Sequence, residues 1–487
     1  MYLGIDLGTS GIKIVLTNTK GEIVDSSSSS FEVSRPKPLW SEQNPRDWWT
    51  GFCDAMDKLS TKHDLSQVLG LGLSGQMHGA TLLDDNDQII RPAILWNDGR
   101  CEAQCQELEA LVADSREITG NIMMPGFTAP KLLWLKQYEP ANFARIAKVL
   151  LPKDYLRLLL TGDYASDMSD ASGTMWLDVK NRVWHTGLLA ACGLDESHMP
   201  RLYEGSQITG KLKSDIAQRW NLSAIPVVAG GGDNAAGAVG VGIVKPGQAM
   251  LSLGTSGVYF AVTEGFSANP ESAVHSFCHA LPNTWHLMSV ILSAASCLQW
   301  FADNIALRPV QELLDELDNS EINLDHCPVF LPYLSGERTP HNNPFASGTF
   351  FGLSHSTAQV NLTYSVLEGV SFAFADGVEA LHQAGGQAQE ITLIGGGAKS
   401  QYWRQLLADV LQRPVNYRTG GDVGPGLGAA RLAQLAIDTD KNLQQICPQP
   451  ALESVFEPET RRVALLVARR KVFKGLYAQL APLMRPQ

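Results

Sequence analysis

A carboxylate that follows three glycines at the end of an apolar run, Val227-Val228-Ala229-Gly230-Gly231-Gly232-Asp233-Asn234-Ala235-Ala236-Gly237, is a candidate acid–base residue. The glycines let a ligand approach the backbone. An acid at a helix start can then point into a cleft and accept a hydroxyl proton, the one acid–base task in phosphoryl transfer beyond positioning and charge neutralisation. Asp233 would serve equally as a helix cap, so the motif alone leaves both roles open. Gly230-x-Gly232-x-x-Ala235 also has the outline of a dinucleotide fingerprint, but the acid required about 20 residues further on is missing, since Leu251 to Leu253 occupy that place.

A second chemistry is anion binding. Leu7-Gly8-Thr9-Ser10-Gly11 recurs as Leu253-Gly254-Thr255-Ser256-Gly257, about half the chain later. Each copy is preceded by alternating apolar residues (Leu3, Ile5, Leu7; Leu251, Leu253) and followed by more (Ile12, Ile14, Leu16; Val258, Phe260, Val262), which reads as strand, tight turn, strand. Such a turn gathers backbone N–H groups and hydroxyls at one tip, a concavity suited to phosphate oxygens. Thr9, Ser10 and Lys13 on one side, with Gly254, Thr255 and Ser256 on the other, would clamp a polyphosphate. The copies differ just before the turn, where the first has Asp6 and the second Ser252. A carboxylate beside phosphate needs a hard cation between them, so Asp6 is the candidate for holding Mg²⁺, through water; the alternative is a turn-capping acceptor.

Ile394-Gly395-Gly396-Gly397-Ala398-Lys399-Ser400 is not a Walker A loop, because Ala398 stands where that loop needs glycine before its lysine. A glycine-rich turn after a strand can instead let adenine or ribose lie against the backbone, which makes Gly395, Gly396, Gly397 and Ser400 candidates. Leu73-Ser74-Gly75-Gln76-Met77-His78-Gly79 and Trp96-Asn97-Asp98-Gly99-Arg100 offer polar groups and a ring at strand ends, suited to a sugar's hydroxyls and carbon face. His78, Arg100 and Arg338 also have plain structural readings.

The elements that must position these residues follow from the repeat: two similar lobes facing each other across a cleft, α/β in class, since strands such as Val68–Ser74 and Ile391–Ile394 alternate with helical stretches. At 487 residues the chain exceeds what one core supports. The lobes divide near Val244–Gly247, giving 1–245 and 246–487. Ser26–Ser30 reads as a solvent-facing edge strand, and Glu457–Leu483 as a closing amphipathic helix. Ser272–Ala302 lacks Asp, Glu, Lys and Arg but carries His275, His279, Asn283, His286 and Gln299, so it reads as a buried strand followed by a buried helix rather than a membrane span.

Fifty acids against 38 bases give a net charge of −12 with no Lys/Arg stripe, which argues against nucleic acid. The eight cysteines are scattered, so zinc is not expected, and the opening MYLGIDLGTSGIK has no basic region or long apolar core of the secretory kind. Free thiols in a reducing cytoplasm are expected.

Taken together, these motifs resemble the FGGY carbohydrate kinases, and the resemblance runs nearly end to end. DLGTSGIK and LSLGTSGV match the two phosphate motifs and IGGGAKS the adenosine motif. The two signatures appear as GFTAPKLLWL at 126–135 and GTFFGLSHSTAQVNLTYSVLE at 348–368, with Tyr138 a departure beyond the first. The resemblance implies the two-lobed actin-like, sugar kinase and Hsp70 ATPase fold, which is ribonuclease H-like. GQMHG at 75–79, GGGDNAAGAVG at 230–240 and LPYLSGERTPHNNP at 331–344 are similar to members acting on D-xylulose. It therefore implies transfer from Mg²⁺-ATP to D-xylulose, giving the 5-phosphate in D-xylose catabolism. Gln76, Met77, His78, Trp96, Asp233 and Asn234 would meet the sugar, with Asp233 as base and Asp6 at the metal. A homodimer is compatible with this reading. Two other readings stay open: a conformational ATPase on the same fold, against which the polar GQMHG loop argues, and a sister kinase for ribulose, glycerol or another polyol.

Overall fold

A computed structural model describes residues 1–418 and 424–484. The apolar alternation around each LGTSG turn becomes the centre of a seven-stranded sheet. In the first sheet the order is Ile208–Lys211, Pro226–Val228, Gly70–Gly75, Tyr2–Leu7, Gly11–Thr17, Ile23–Ser30, with Gly231–Gly232 also pairing Gly70–Gly75. In the second it is His275–Cys278, Trp285–Ile291, Gly257–Thr263, Gln248–Leu253, Glu390–Ile394, Val415–Arg418, Leu452–Phe456. Tyr2–Leu7 is antiparallel to the strand after its turn and parallel to Gly70–Gly75; Gln248–Leu253 repeats both relations with Gly257–Thr263 and Glu390–Ile394. The duplication thus extends from the turn to the sheets. Asp6 pairs with Ser74 and Ser252 with Ile394, so the triple-glycine loop of the second lobe occupies the position that Gly75-Gln76-Met77-His78 holds in the first.

The serine strand Ile23–Ser30 is an edge strand with alternating exposure, as its composition suggests. Ser272–Ala302 holds one strand more than expected: His275–Cys278 and Trp285–Ile291 precede the helix Ala295–Phe301, because Asn283 adopts φ 49° and reverses the chain between them. Among the described residues no helix is long and apolar enough to cross a membrane. The closing helix, Thr460–Leu480, fully buries only Leu466 and Phe473. Leu476, Tyr477 and Leu480 pack partly buried beside them against the core, and arginines add ion pairs. Arg469 makes a two-pronged bond to buried Glu368 at 2.6 and 2.7 Å, and Arg470 pairs with Asp376. Glu368 closes the second signature.

A helix near the C-terminal end, Gly424–Ile437, packs against Tyr2–Leu7 and Gly70–Gly75 of the first sheet and against the helix Asp233–Gly240. Its approach is backbone to backbone. A side-chain carbon at Gly4 would overlap the Gly426 carbonyl, one at Gly72 the Ala429 carbonyl, and one at Gly428 the Ala236 carbonyl. Arg431 Nη1 completes the seam by donating to the carbonyls of Val239 and Gly240 at 3.0 and 2.9 Å, the last turn of the helix that begins at Asp233. Gly72→Ala is therefore expected to cost about 2–3 kcal/mol of stability through overpacking. Gly475→Ala, in a helix with nothing within 4 Å, should be neutral or stabilising by ~0.5–1 kcal/mol. Thermal denaturation of the two variants checks this, and equal midpoints would show that the seam tolerates a methyl group.

Candidate active site

The sheet register brings the two candidate carboxylates together. Asp6 lies opposite Ser74, and Ser74 lies opposite Gly231, two residues before Asp233. Burial, then the charge of Asp233, pushes Asp6 up to about 7, with Lys13 across the strand pair pulling the other way. Asp6 Oδ1 is buried without a hydrogen-bond partner among the described residues. Burial likewise raises Asp233 to about 6 against the hydrogen bonds from Asn234. The backbone and side-chain amides of Asn234 both donate to Asp233 Oδ1, at 2.7 and 2.9 Å. Oδ2 is left as the oxygen available to an incoming hydroxyl. Asp233 opens the helix Asp233–Gly240 as its first residue, but the cap position falls on Gly232 and no side chain caps the helix, so Asp233 does not have the capping role that the sequence left open.

The first phosphate turn is wired to the sugar candidates. Thr9 Oγ1 donates to Gln76 Oε1 at 3.0 Å and accepts from Trp96 Nε1 at 2.9 Å. Gln76 Nε2 donates to Gln43 Oε1, and Gln43 Nε2 to the Thr9 carbonyl, at 2.9 and 2.6 Å. Gln76 therefore holds the turn with both ends of its amide. Ser10 and Lys13 stand exposed at the tip. Met77 is buried with its sulfur against Gly232. His78 Nδ1 lies 2.8 Å from the Gly173 carbonyl, and burial, then Lys131, lowers the ring to about 3. A neutral ring donating from Nδ1 leaves Nε2 as an acceptor for a hydroxyl. His78 holds φ 70°, a left-handed conformation costly for a non-glycine residue. Lys131 Nζ and Thr128 Oγ1, both of the first signature, hold it there by donating to its carbonyl at 2.9 and 3.2 Å. Arg100 is structural: it binds Asp98 through two nitrogens, at 2.9 and 2.6 Å, and covers Trp40.

In the second lobe a cavity of about 750 Å³ runs from Gly254 and Thr255 to Gly396, Gly397 and Ser400. Gly395 takes φ 96°, and a Cβ there would lie 2.7 Å from the Leu253 carbonyl oxygen. Gly397 fits against the Leu253 side chain, whereas Gly396 has nothing within 4 Å and leaves an open face to the cavity. Ser400 lines the cavity but its hydroxyl caps the helix Gln401–Leu411, accepting from Trp403 N at 3.2 Å. Thr255 and Ser256 are exposed at the turn, which Ala294 and Ala295 fix from behind by donating to the carbonyls of Thr255 and Gly254. A cavity of similar size, about 740 Å³, lies beside His382 and Arg413 and contains none of these motifs.

Sequence reasoning missed several neighbours. Phe127 packs edge-on to His78 and to His275 of the second lobe, with ring centroids 5.0 and 5.5 Å apart, and His275 stacks on Phe277. The wall beside the loop Gly75–Gly79 is thus shared between lobes. The charge of Arg338 further depresses both His78 and His275. Gln43, and Gln311 in the nucleotide-sized cavity, were likewise not singled out, and Gln299, which also lines that cavity, was read only as part of a buried helix. Only the density of histidine and phenylalanine in an uncharged stretch hinted at the first group.

Among the described residues no cluster of three or more His, Cys, Asp or Glu side chains could hold a metal by itself. The buried, partnerless Asp6 oxygen beside a second carboxylate nevertheless fits a hard cation completed by phosphate oxygens and water.

Two lobes, each offering a Gly-Thr-Ser-Gly turn, with a partly buried carboxylate pair and a nucleotide-sized cavity, define a carbohydrate-kinase type of site. The N-terminal domain of the FGGY family of carbohydrate kinases matches residues 1–240, and the C-terminal domain of that family matches 249–437. The chain belongs to the FGGY family of carbohydrate kinases. It is 59% identical to the xylulose kinase of Escherichia coli strain K12 over 485 residues, covering 99% of this chain and 100% of that one. It is 56% identical to the xylulose kinase of Klebsiella pneumoniae with the same coverage. The crystal structure of a xyloylose kinase from Brucella ovis superposes with a TM-score of 0.95 at 48% identity, covering 99% of each chain.

The carboxylate pair has a consequence for stability. An aspartate whose folded value lies above its ordinary 3.8 holds its proton more readily when folded, so stability falls as pH rises from about 4 through 7. In metal-free protein near pH 8, Asp6→Asn should therefore raise stability by about 1–3 kcal/mol after allowance for screening. The gain should vanish near pH 4. Urea midpoints at the two pH values measure it, and no gain at pH 8 would mean that the pair carries no such strain.

Proposed function

We propose that this kinase transfers the γ-phosphate of ATP to the 5-hydroxyl of D-xylulose, giving D-xylulose 5-phosphate and ADP, in the cytoplasm and in the breakdown of D-xylose. The observation that carries the substrate is full-length identity of 59% and 56% to two xylulose kinases. Fold alone would not choose it, since a gluconate kinase from Lactobacillus acidophilus superposes with a TM-score of 0.93 at 24% identity.

In this reading the lobes 1–245 and 246–487 close on the two substrates. Adenosine lies on the open face at Gly396, between Gly395 and Gly397, and the phosphates lie between Thr9, Ser10 and Lys13 on one side and Gly254, Thr255 and Ser256 on the other. The sugar sits against Met77 and His78, beneath Trp96, with His78 Nε2 accepting a hydroxyl. Asn234 turns Oδ1 of Asp233 away from reaction, and Oδ2 takes the 5-hydroxyl proton as that oxygen forms its bond to the γ-phosphorus and the bond to the leaving ADP oxygen breaks. Mg²⁺ held at Asp6 would supply the positive charge that lets phosphate oxygens approach two carboxylates. The inter-lobe wall of Phe127, His275 and Phe277 supports exclusion of water from the sugar end.

ADP release from Mg²⁺-ATP, measured with D-xylulose, ribulose, glycerol or no sugar, tests the substrate. Strong stimulation by xylulose alone is expected; steady hydrolysis indifferent to sugar would point to a conformational ATPase instead. Asp233→Ala should lower the xylulose-dependent rate by ~10² to 10⁴. A loss of only a few-fold in a folded variant would remove Asp233 from the base role.

A further inference from the structure

The base-bearing turn rests on a buried polar relay that the mechanism above does not use. Gly232, the cap residue immediately before Asp233, donates its backbone N–H to Ser169 Oγ at 3.0 Å. The Ser169 hydroxyl in turn donates to Asp167 Oδ2 at 2.5 Å. Its proton is therefore committed, and a lone pair faces Gly232. Asp167 Oδ2 also accepts from the backbone N–H of Ser169 at 2.7 Å, and Asp167 Oδ1 is paired with Lys153 Nζ at 2.7 Å. Lys153 reaches Asp154 and Asp170 as well, at 2.6 and 3.3 Å, and all of these side chains are buried. The same group touches the sugar loop, since a side-chain carbon at Gly75 would lie 3.2 Å from Lys153 Cβ. It is anchored to the second lobe too: Ser172, on the same short helix Met168–Ser172, accepts from Cys278 N at 3.0 Å, next to Phe277 in the sugar wall.

A buried N–H has to find an acceptor, and only one orientation of the Gly232 peptide reaches this one. That peptide joins Gly231 to Gly232, one residue before Asp233, and so anchors the backbone from which the Asp233 carboxyl projects. We propose that Ser169 is a positioning residue for Asp233, its hydroxyl fixing the Gly232 peptide, and that Asp167 and Lys153 serve to lock that hydroxyl in the accepting orientation. The inference rests on Asp233 acting as the base.

A misplacement of the order of 1 Å at a reacting group lowers turnover roughly 10- to 100-fold while leaving ground-state binding nearly untouched. Ser169→Ala is accordingly expected to lower kcat with D-xylulose by that factor, with KM for sugar and for ATP within about twofold. Sugar-independent ATP hydrolysis should fall less, because a mobile water tolerates a displaced base better than an anchored sugar. Ser169→Cys keeps the volume but is a poor acceptor, and Ser169→Thr keeps the acceptor but adds a methyl group. If the hydroxyl positions the base, kcat per folded molecule ranks Ser and Thr above Cys and Ala. Hydrogen exchange in the peptide spanning 230–233 should be faster in the Cys and Ala variants.

Turnover that follows side-chain volume, or a Cys variant with wild-type kcat and unchanged exchange, overturns the proposal. Asp233→Asn separates the two layers. If that variant keeps its activity, the base reading itself falls and this inference with it. If it is inactive while Ser169→Ala and Ser169→Cys turn over like wild type, only the positioning role is lost.

Discussion

Asp6, near the end of Tyr2–Leu7, and Asp233, at the start of the helix that follows Gly231–Gly232, flank the strand Gly70–Gly75; burial pushes them up to about 7 and 6, and one of their oxygens has no partner among the described residues. No carboxylate pair adopts such a position for stability, since burial and like charge both oppose it. The sheet enforces it, because the register that sets Asp6 beside Ser74 and Ser74 beside Gly231 is dictated by which apolar residues face the core, and a slip of one residue would turn every side chain over. Lys13, opposite Asp6, relieves the strain only in part. What remains is an uncompensated pair of carboxylates at one end of the sheet, and in the proposed function a cation offsets that charge.

The signatures acquire physical meaning from the same cleft. Thr128 and Lys131 hold the carbonyl of His78, which keeps its ring aimed through a backbone conformation it would otherwise avoid. Glu368 receives Arg469 and so ties the closing helix to the long helix Gln359–Gln383. The duplicated lobes differ at equivalent strand ends: the first carries side chains, Gln76, Met77 and His78, and the second carries bare backbone, Gly395 to Gly397.

Much of this was legible in sequence because it is local. The LGTSG repeat, the glycines before Asp233 and the triple glycine each declare a turn within a few residues, and the duplicated sheets follow from the first. The unread features arise from contacts across the chain. Gln43 serves the first turn from a separate strand, and His275 reaches Phe127 from the other lobe; Ser169 meets Gly232 across 63 positions. The closing helix lays Leu466, Phe473, Leu476, Tyr477 and Leu480 on the core as its periodicity suggested, but the ion pairs of Arg469 and Arg470 with residues far earlier in the chain were not legible. The extra strand within Ser272–Ala302 depended on one asparagine in a left-handed turn.

The glycine seam bears on how the protein comes into being. The helix Gly424–Ile437 lies directly on strands formed by Tyr2–Leu7 and Gly70–Gly75, and the glycines that admit it leave that face of the sheet without side chains of its own at Gly4 and Gly72. A nascent chain emerging N-terminus first therefore has its first sheet half-clad until nearly nine-tenths of the polypeptide has been made. The halves that look duplicated in sequence are not independent in assembly: the lobe begun first is covered only by a helix made near the end of the chain, and during the interval its bare strands are the surface most in need of protection from other chains.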